Sequence, residues 1–143
     1  MHPPVDRFNI VDSTVAMRYY DDLQRRLQNE WPNYPPMNFA DDAIPKPLVA
    51  LTSSKLLAGG LAFIAANRPQ SDELAIWINA VLVAPEYRRQ GLGSRLIEAA
   101  QRCARQAGLS RLYALTELPE LYTKLNWSIF SNGGADFVMT WEA

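Results

Sequence analysis

The stretch that most restricts this chain is Val81-Leu82-Val83-Ala84-Pro85-Glu86-Tyr87-Arg88-Arg89-Gln90-Gly91-Leu92-Gly93-Ser94-Arg95-Leu96. An apolar run stops at a proline, a basic turn follows, and two glycines open a segment with apolar residues at helical spacing. The pattern predicts a buried strand, a tight turn and a long helix. Gly91 and Gly93 let backbone approach a bulky group closely. A helix start leaves several N–H groups without intrahelical partners and carries about half a positive charge. With Arg88 and Arg89 beside it, the segment reads as a cradle for phosphate.

The kind of phosphate is narrowed by what is missing. The Gly-Lys-Ser/Thr ending of a Walker loop is absent. The third glycine of a dinucleotide fingerprint falls on Leu96. A nucleotide binder of another fold, or a turn of purely structural purpose, stays open at this point.

The rest of the chain bounds the answer. Its 143 residues suit a single domain over residues 1–143, in the usual range of roughly 100–150. Hydrophobic residues at 48% exclude global disorder. Fourteen Lys and Arg against fifteen Asp and Glu give a net charge of -1, without the basic excess that nucleic-acid binding needs. One cysteine, Cys103, excludes an internal disulfide and a cysteine-based zinc site. One histidine, His2, excludes histidine clusters, and no metal site is expected. The start has no export signal, and the apolar runs are shorter than the ~18–20 residues of a membrane span. The expected location is the cytoplasm, with no membrane partner.

Periodicity sets the element order. Phe8 to Val11 reads as a strand, followed by a cap at Asp12-Ser13-Thr14. From Val15 to Glu30, Val15, Tyr19, Leu23 and Leu27 recur at helical spacing, with Asp21-Asp22 and Arg25-Arg26 paired on the solvated face. Five prolines and three aromatics (Trp31, Tyr34 and Phe39) fill Trp31 to Pro47, a stiff covering loop with a turn of helix at 38–42. Leu48 to Thr52 and Leu56 to Ala65 form a hairpin, whose Gly59-Gly60 suggests a bulge or close backbone approach. Leu74 to Val83 is apolar almost throughout, as expected of a central strand buried on both faces.

After the cradle, the helix runs from Leu92 to Ala107 and stops at Gly108. Its apolar face is Leu92, Leu96, Ala99, Ala100, Cys103 and Ala107, with Cys103 read as core. A strand at Leu112 to Thr116, a short helix at Pro119 to Lys124 and strands at Trp127 to Phe130 and Phe137 to Trp141 close the chain. The expected class is α/β, one mixed sheet of six to seven strands with about four helices.

Arg88-x-x-Gly91-x-Gly93, after Val81-Leu82-Val83 and Pro85-Glu86-Tyr87, resembles the acetyl-coenzyme A motif of the GNAT superfamily of N-acetyltransferases. Leu121-Tyr122-Thr123-Lys124-Leu125-Asn126-Trp127 is similar to that family's later Leu-Tyr-x-x-Leu-Gly-Phe block. Asn126 replaces the usual Gly, and Asn tolerates the left-handed backbone that Gly would adopt. Asn29-Glu30-Trp31-Pro32 and Leu115-Thr116 are also similar to the actin N-terminal acetyltransferase branch, over short stretches.

The resemblance implies a fold and a reaction. Strands Val81–Val83 and Leu112–Thr116 would splay, with the coenzyme A arm between them. The amides of Arg89, Gln90, Gly91, Leu92, Gly93 and Ser94 would hold the pyrophosphate, with Arg88 adding charge. Val81, Leu82 and Val83 would run beside the pantetheine arm, and Thr116 would belong to the cofactor site. Acetyl-coenzyme A would be the cosubstrate, attacked directly by a small amine or a peptide N-terminus. Tyr122 matches the family's general acid.

The base is open. The family's strand Glu would fall at Trp77 or Asn79, and in the actin-type branch at Asn79. Asn79 would either orient a relaying water or satisfy a bulge; Glu30 and Glu117 are the nearest carboxylates by sequence. Glu30, Trp31 and Tyr34 are expected at the acceptor site, where aromatics and acids (with Asp41 and Asp42) would suit a cationic amine. The equal alternative is a loop pinned to the core. A coenzyme A-binding regulatory module without turnover stays open beside the enzyme. The resemblance also implies dimer contacts through the last two strands.

Overall fold

The computed structural model describes residues 8–37 and 42–143. Seven strands form one sheet: β1 (Asn9–Asp12), β2 (Leu48–Leu51), β3 (Leu57–Asn67), β4 (Leu74–Val83), β5 (Arg111–Thr116), β6 (Ser128–Gly133) and β7 (Asp136–Glu142). Their spatial order is β1-β2-β3-β4-β5-β7-β6. Every neighbouring pair is antiparallel except β4 and β5. The helices are α1 (Met17–Glu30), α2 (Leu92–Gln106) and α3 (Pro119–Thr123), with short 3₁₀ turns at Ser13–Val15 and Pro85–Tyr87. The helix turn expected at 38–42 lies almost wholly outside the described residues.

The helices cover opposite faces. Tyr19, Leu23 and Leu27 of α1 pack with Val49, Leu51, Leu57, Ala62 and Leu82. Leu92, Leu96, Ile97 and Ala100 of α2 pack with Leu61, Phe63, Ile78, Leu112 and Met139. The expected α1 face needs one correction. Val15 is 65% exposed and Tyr20 is buried instead, because Ala16 is extended (φ -154°, ψ 127°) and starts the helix after Val15. Asp22 does pair with Arg25 and Arg26. In α2, Ile97 and Ala104 are buried, Cys103 is half-buried at the edge of the core, and Ala107 is exposed. The helix ends at Gln106, with Gly108 at φ +77° just beyond.

Strand β4 is central but not buried on both faces; only Ile78 and Leu82 are fully buried. Its apolar run has a different cause. Phe63 is opposite Ile78 while Leu61 is opposite Val81, so β4 holds an extra residue at Asn79-Ala80. The bulge switches the strand's alternation. Ile76 and Ile78 before it, and Val81 and Val83 after it, all turn toward the α2 core.

The same point opens the sheet. Strands β4 and β5 pair only at Trp77–Tyr113 and Ile78–Ala114. Past the bulge β4 stays paired with β3 through Val83, while β5 pairs with β7 through Thr116. The two parallel strands therefore fork, as the expected splay requires.

Glycine keeps β3 close to its neighbours. A Cβ on Gly59 would collide with Leu82 O, and one on Gly60 would lie 2.6 Å from Leu23 Cδ1 and 2.8 Å from Leu48 O. The register also shifts between Ala50 and Leu51, so both expectations for the pair hold. Gly59→Ala is expected to cost about 1–3 kcal/mol through overpacking against backbone. Urea unfolding of the variant checks this; an unchanged midpoint would contradict the packing described.

Candidate active site

The cradle is built where β4 ends. Pro85 starts a 3₁₀ turn, and Arg88 N–H reaches Pro85 O at 3.4 Å. Arg89 (φ +64°) and Gly91 (φ +78°) are left-handed, and Gly91 is the N-cap of α2. Arg95 N–H is the first in the helix to find an acceptor, Gly91 O at 3.2 Å. From Arg89 through Ser94, no backbone N–H bonds to an oxygen among the described residues. Six consecutive donors thus lie at the positive end of a fifteen-residue helix, an arrangement chemically suited to an anion.

Side chains add to it. Gln90 Oε1 and Ser94 Oγ are buried without a hydrogen-bond partner among the described residues. Arg88 and Arg89 are exposed and have no carboxylate partner among the described residues. Arg88 Nε donates to Val83 O at 3.1 Å, which holds its guanidinium beside the strand end. A Cβ on Gly93 would stand 3.8 Å from Leu121 Cδ2 and 4.0 Å from Val83 Cγ2. The absent side chain thus leaves room between β4's last residue and α3, at the mouth of the fork. Leu92 is buried and Val81 partly so, both within the α2 core, while Leu82 faces α1. Thr116 ends β5, and its Oγ1 accepts from Leu118 N–H at 2.9 Å.

Tyr122 lies in α3 and is 4% exposed. Its ring meets Trp127 edge-on at 5.0 Å, and Trp127 Nε1 donates to Gln101 Oε1 at 3.0 Å, tying the segment to α2. Trp127 N–H returns to Tyr122 O at 3.2 Å after a left-handed Asn126 (φ +70°), the conformation its sequence position called for. The Tyr122 hydroxyl has no hydrogen-bond partner among the described residues. Burial pushes its pKa up to about 12.

Tyr34 is also buried, and its hydroxyl donates to the carbonyl of Asn79 in the β4 bulge. Tyr20 donates to Met37 O and Gln24 Oε1 accepts from Met37 N–H, so α1 pins this loop as well. Tyr34 therefore braces the fork, a tie no sequence spacing announces. Burial raises its pKa too. The Asn79 side chain is half-buried and bonds to no described residue. Trp31 is 42% exposed, and Glu30 and Glu117 are exposed surface carboxylates. Asp42 pairs with Lys46, and Asp41 lies outside the described residues.

The two buried phenols make stability sensitive to alkali. Each is neutral when protonated, and its folded pKa exceeds the ordinary value of 10. Their contribution is complete below pH ~10 and lost as pH rises through the folded values. The expected fall is up to about 1.4 kcal/mol per pH unit for each group. Urea midpoints between pH 9 and 11.5 check it, with a shallower slope expected for Tyr122→Phe. Equal slopes would contradict the burial of this phenol.

One surface groove of about 450 Å³ lies between α1, the β2–β3 turn and Glu86-Tyr87 of the 3₁₀ turn that precedes the cradle, and another of about 510 Å³ runs between β1 and α2 beside Cys103. Burial raises the Cys103 thiol pKa. Among the described residues no cluster of three or more His, Cys, Asp or Glu could hold a metal ion, and no helix is long and apolar enough to cross a membrane.

A strand, a row of amides and a helix thus meet beside forked parallel strands, and comparison with known proteins identifies the family. Residues 16–127 match the model of the Acetyltransferase (GNAT) family, and the chain belongs to that family. No curated protein matches the sequence. Among solved structures, it is similar to the GNAT family N-acetyltransferase YhbS from Escherichia coli in complex with CoA. That likeness has a TM-score of 0.68 and 18% identity, over 99% of this chain and 84% of that one. An acetyltransferase of GNAT family from Streptococcus pneumoniae gives 0.65 at 17% identity, over 95% and 99%. N-acetylglutamate synthase from Neisseria gonorrhoeae, complexed with coenzyme A and N-acetyl-glutamate, gives 0.64 at 18% identity, over 94% of this chain and 35% of that one.

Proposed function

We propose that this chain transfers an acetyl group from acetyl-coenzyme A to a primary amine, either a small amine or a peptide N-terminus. The observation that carries the proposal is the row of six amides, Arg89 to Ser94, without hydrogen-bond partners among the described residues, at the mouth of the β4–β5 fork. Donors in such a row fit a pyrophosphate, and the buried Ser94 hydroxyl fits a further donated bond there. The proposal assigns Arg88 and Arg89 to the phosphates. Val81, Leu82 and Val83 line one side of the arm's path, and Thr116 the other. When bound, the acetyl thioester supplies the acyl group.

The remaining chemistry falls to this chain. Tyr122 keeps its proton through neutral pH and is assigned to deliver it to the leaving thiolate as general acid. Asn79 is assigned to the fork beside the reacting groups, with Tyr34 holding its backbone. Glu30 and Trp31, at and just past the end of α1, are assigned to the acceptor side. No carboxylate base is assigned, so the amine would enter with its proton already lost to solvent. The lone cysteine suits a reducing compartment, and the proposal places the protein in the cytoplasm. A homodimer through β6 is part of the same reading, supported by the exposed Ile129 on that edge strand.

The second reading is a module that binds the carrier without turnover; Asn79, in place of a carboxylate, favours it. Two measurements separate them. Acetyl-coenzyme A at about 100 times its Kd is expected to stabilise the fold by about 2.7 kcal/mol. Coenzyme A release against a panel of amines then shows turnover. Binding with no release would establish the second reading, and no binding would reject both.

A further inference from the structure

We infer that the acceptor is an amine carrying an apolar group, held on the open sheet face beside the fork; this rests on the acetyltransferase reading. Alternation in β5 divides its residues. Leu112 and Ala114 join the α2 core, so Tyr113 and Leu115 face the other way. On that side α1 packs over β2 and β3. Farther along, Leu115 is 60% exposed and Phe130 41% exposed.

These residues form one surface. Trp77 is opposite Tyr113 in the register and stacks on it at 5.2 Å, and Phe130 meets Tyr113 edge-on at 6.2 Å. Leu115 is two residues beyond Tyr113 and is paired with Val138. Trp77 and Tyr113 are the last register step but one before the fork opens, so the apolar surface runs directly into it. Tyr113 itself is buried among its neighbours and Trp77 is partly exposed, while Leu115 and Phe130 stand exposed beside them; exposed apolar side chains joined to a reaction cleft mark a binding surface rather than scattered exposure. Arg68 and Arg111 pair with Glu73 and Glu142 and both donate to the Tyr113 hydroxyl at the end of the sheet away from the fork, so these charges are already matched and apolar contact is the main source of selectivity beside the fork.

The shared chemistry is a primary amine next to an apolar group, which a free arylalkylamine or a peptide with an apolar first residue could supply. Initial rates of coenzyme A release test it with ethylamine, 2-phenylethylamine, 1,4-diaminobutane, and tetrapeptides beginning with Leu or Asp. At least a tenfold higher kcat/KM is expected for 2-phenylethylamine than for ethylamine or the diamine, carried mainly by KM. The peptide arm decides the source: a Leu-over-Asp preference exceeding the free-amine ratio points to peptides. Leu115→Asp, a substitution at an exposed position, is expected to narrow the phenylethyl-to-ethyl ratio to within threefold. Leu115→Ala is the milder variant if that one folds poorly. Rates indifferent to the apolar group, a preference for the diamine, or no release with any amine by a chain that binds coenzyme A would overturn the inference. Loss of coenzyme A binding itself would overturn the acetyltransferase reading instead.

Discussion

Tyr122→Phe is expected to lower kcat by about 10²–10⁴ while leaving the affinity for coenzyme A and the melting temperature close to those of the natural chain. The magnitude is that of one positioned general acid. The specificity of the effect comes from the local structure. The hydroxyl bonds to no described residue, so removing it breaks no protein hydrogen bond. The ring keeps its edge-on contact with Trp127 and its place in the core. Burial holds the pKa at about 12, so the proton is present throughout an ordinary assay range. Steady-state kinetics with a saturating amine checks this, with carrier affinity measured separately. A variant within threefold of the natural rate would remove Tyr122 from the chemistry.

Gly93→Ala carries the second large effect. The added Cβ meets nothing closer than 3.8 Å in the protein, and Gly93 lies within α2, where Ala is favoured over Gly by roughly 1 kcal/mol. The fold should therefore be as stable or slightly more so. The same methyl projects into the space between Val83 and Leu121, where the carrier's arm would enter. A loss of at least tenfold in coenzyme A affinity is expected, about 1.4 kcal/mol. Gly91→Ala is the poorer test, because Gly91 sits at φ +78° and the substitution strains the fold itself. Calorimetric titration beside a melting curve checks the pair of effects. Unchanged affinity in a variant of unchanged stability would move the arm's path elsewhere.

What could be read from the residues follows a physical division. Local signals were legible because short-range sterics decide them. Gly91 at the helix start, Gly108 past its end and a left-handed Asn126 all appear as their positions required. The element order and the fork followed from period changes and motif resemblance. Signals that depend on distant partners were not legible. The apolar run of β4 came from a bulge that reverses its faces, not from burial on both sides. Val15 fits the helical period, but extended Ala16 severs it from α1. Cys103 lies at the edge of the α2 face, where β1 and the 45–48 segment leave a groove. Tyr34 looked equally like a pocket wall and a pin, and only its hydrogen bond to Asn79 shows that it braces the fork. The exposure of Leu115 and Phe130 is set by the topology, which no residue spacing announces.

The central claim is that the amides from Arg89 to Ser94 receive the carrier's pyrophosphate. Amide nitrogen–proton NMR during titration with coenzyme A tests it most directly. The expected result is that the Gln90, Gly91, Leu92, Gly93 and Ser94 resonances move farthest and saturate together, with Val81–Val83 following. Saturable binding that leaves those amides in place, and shifts another segment, would contradict the account.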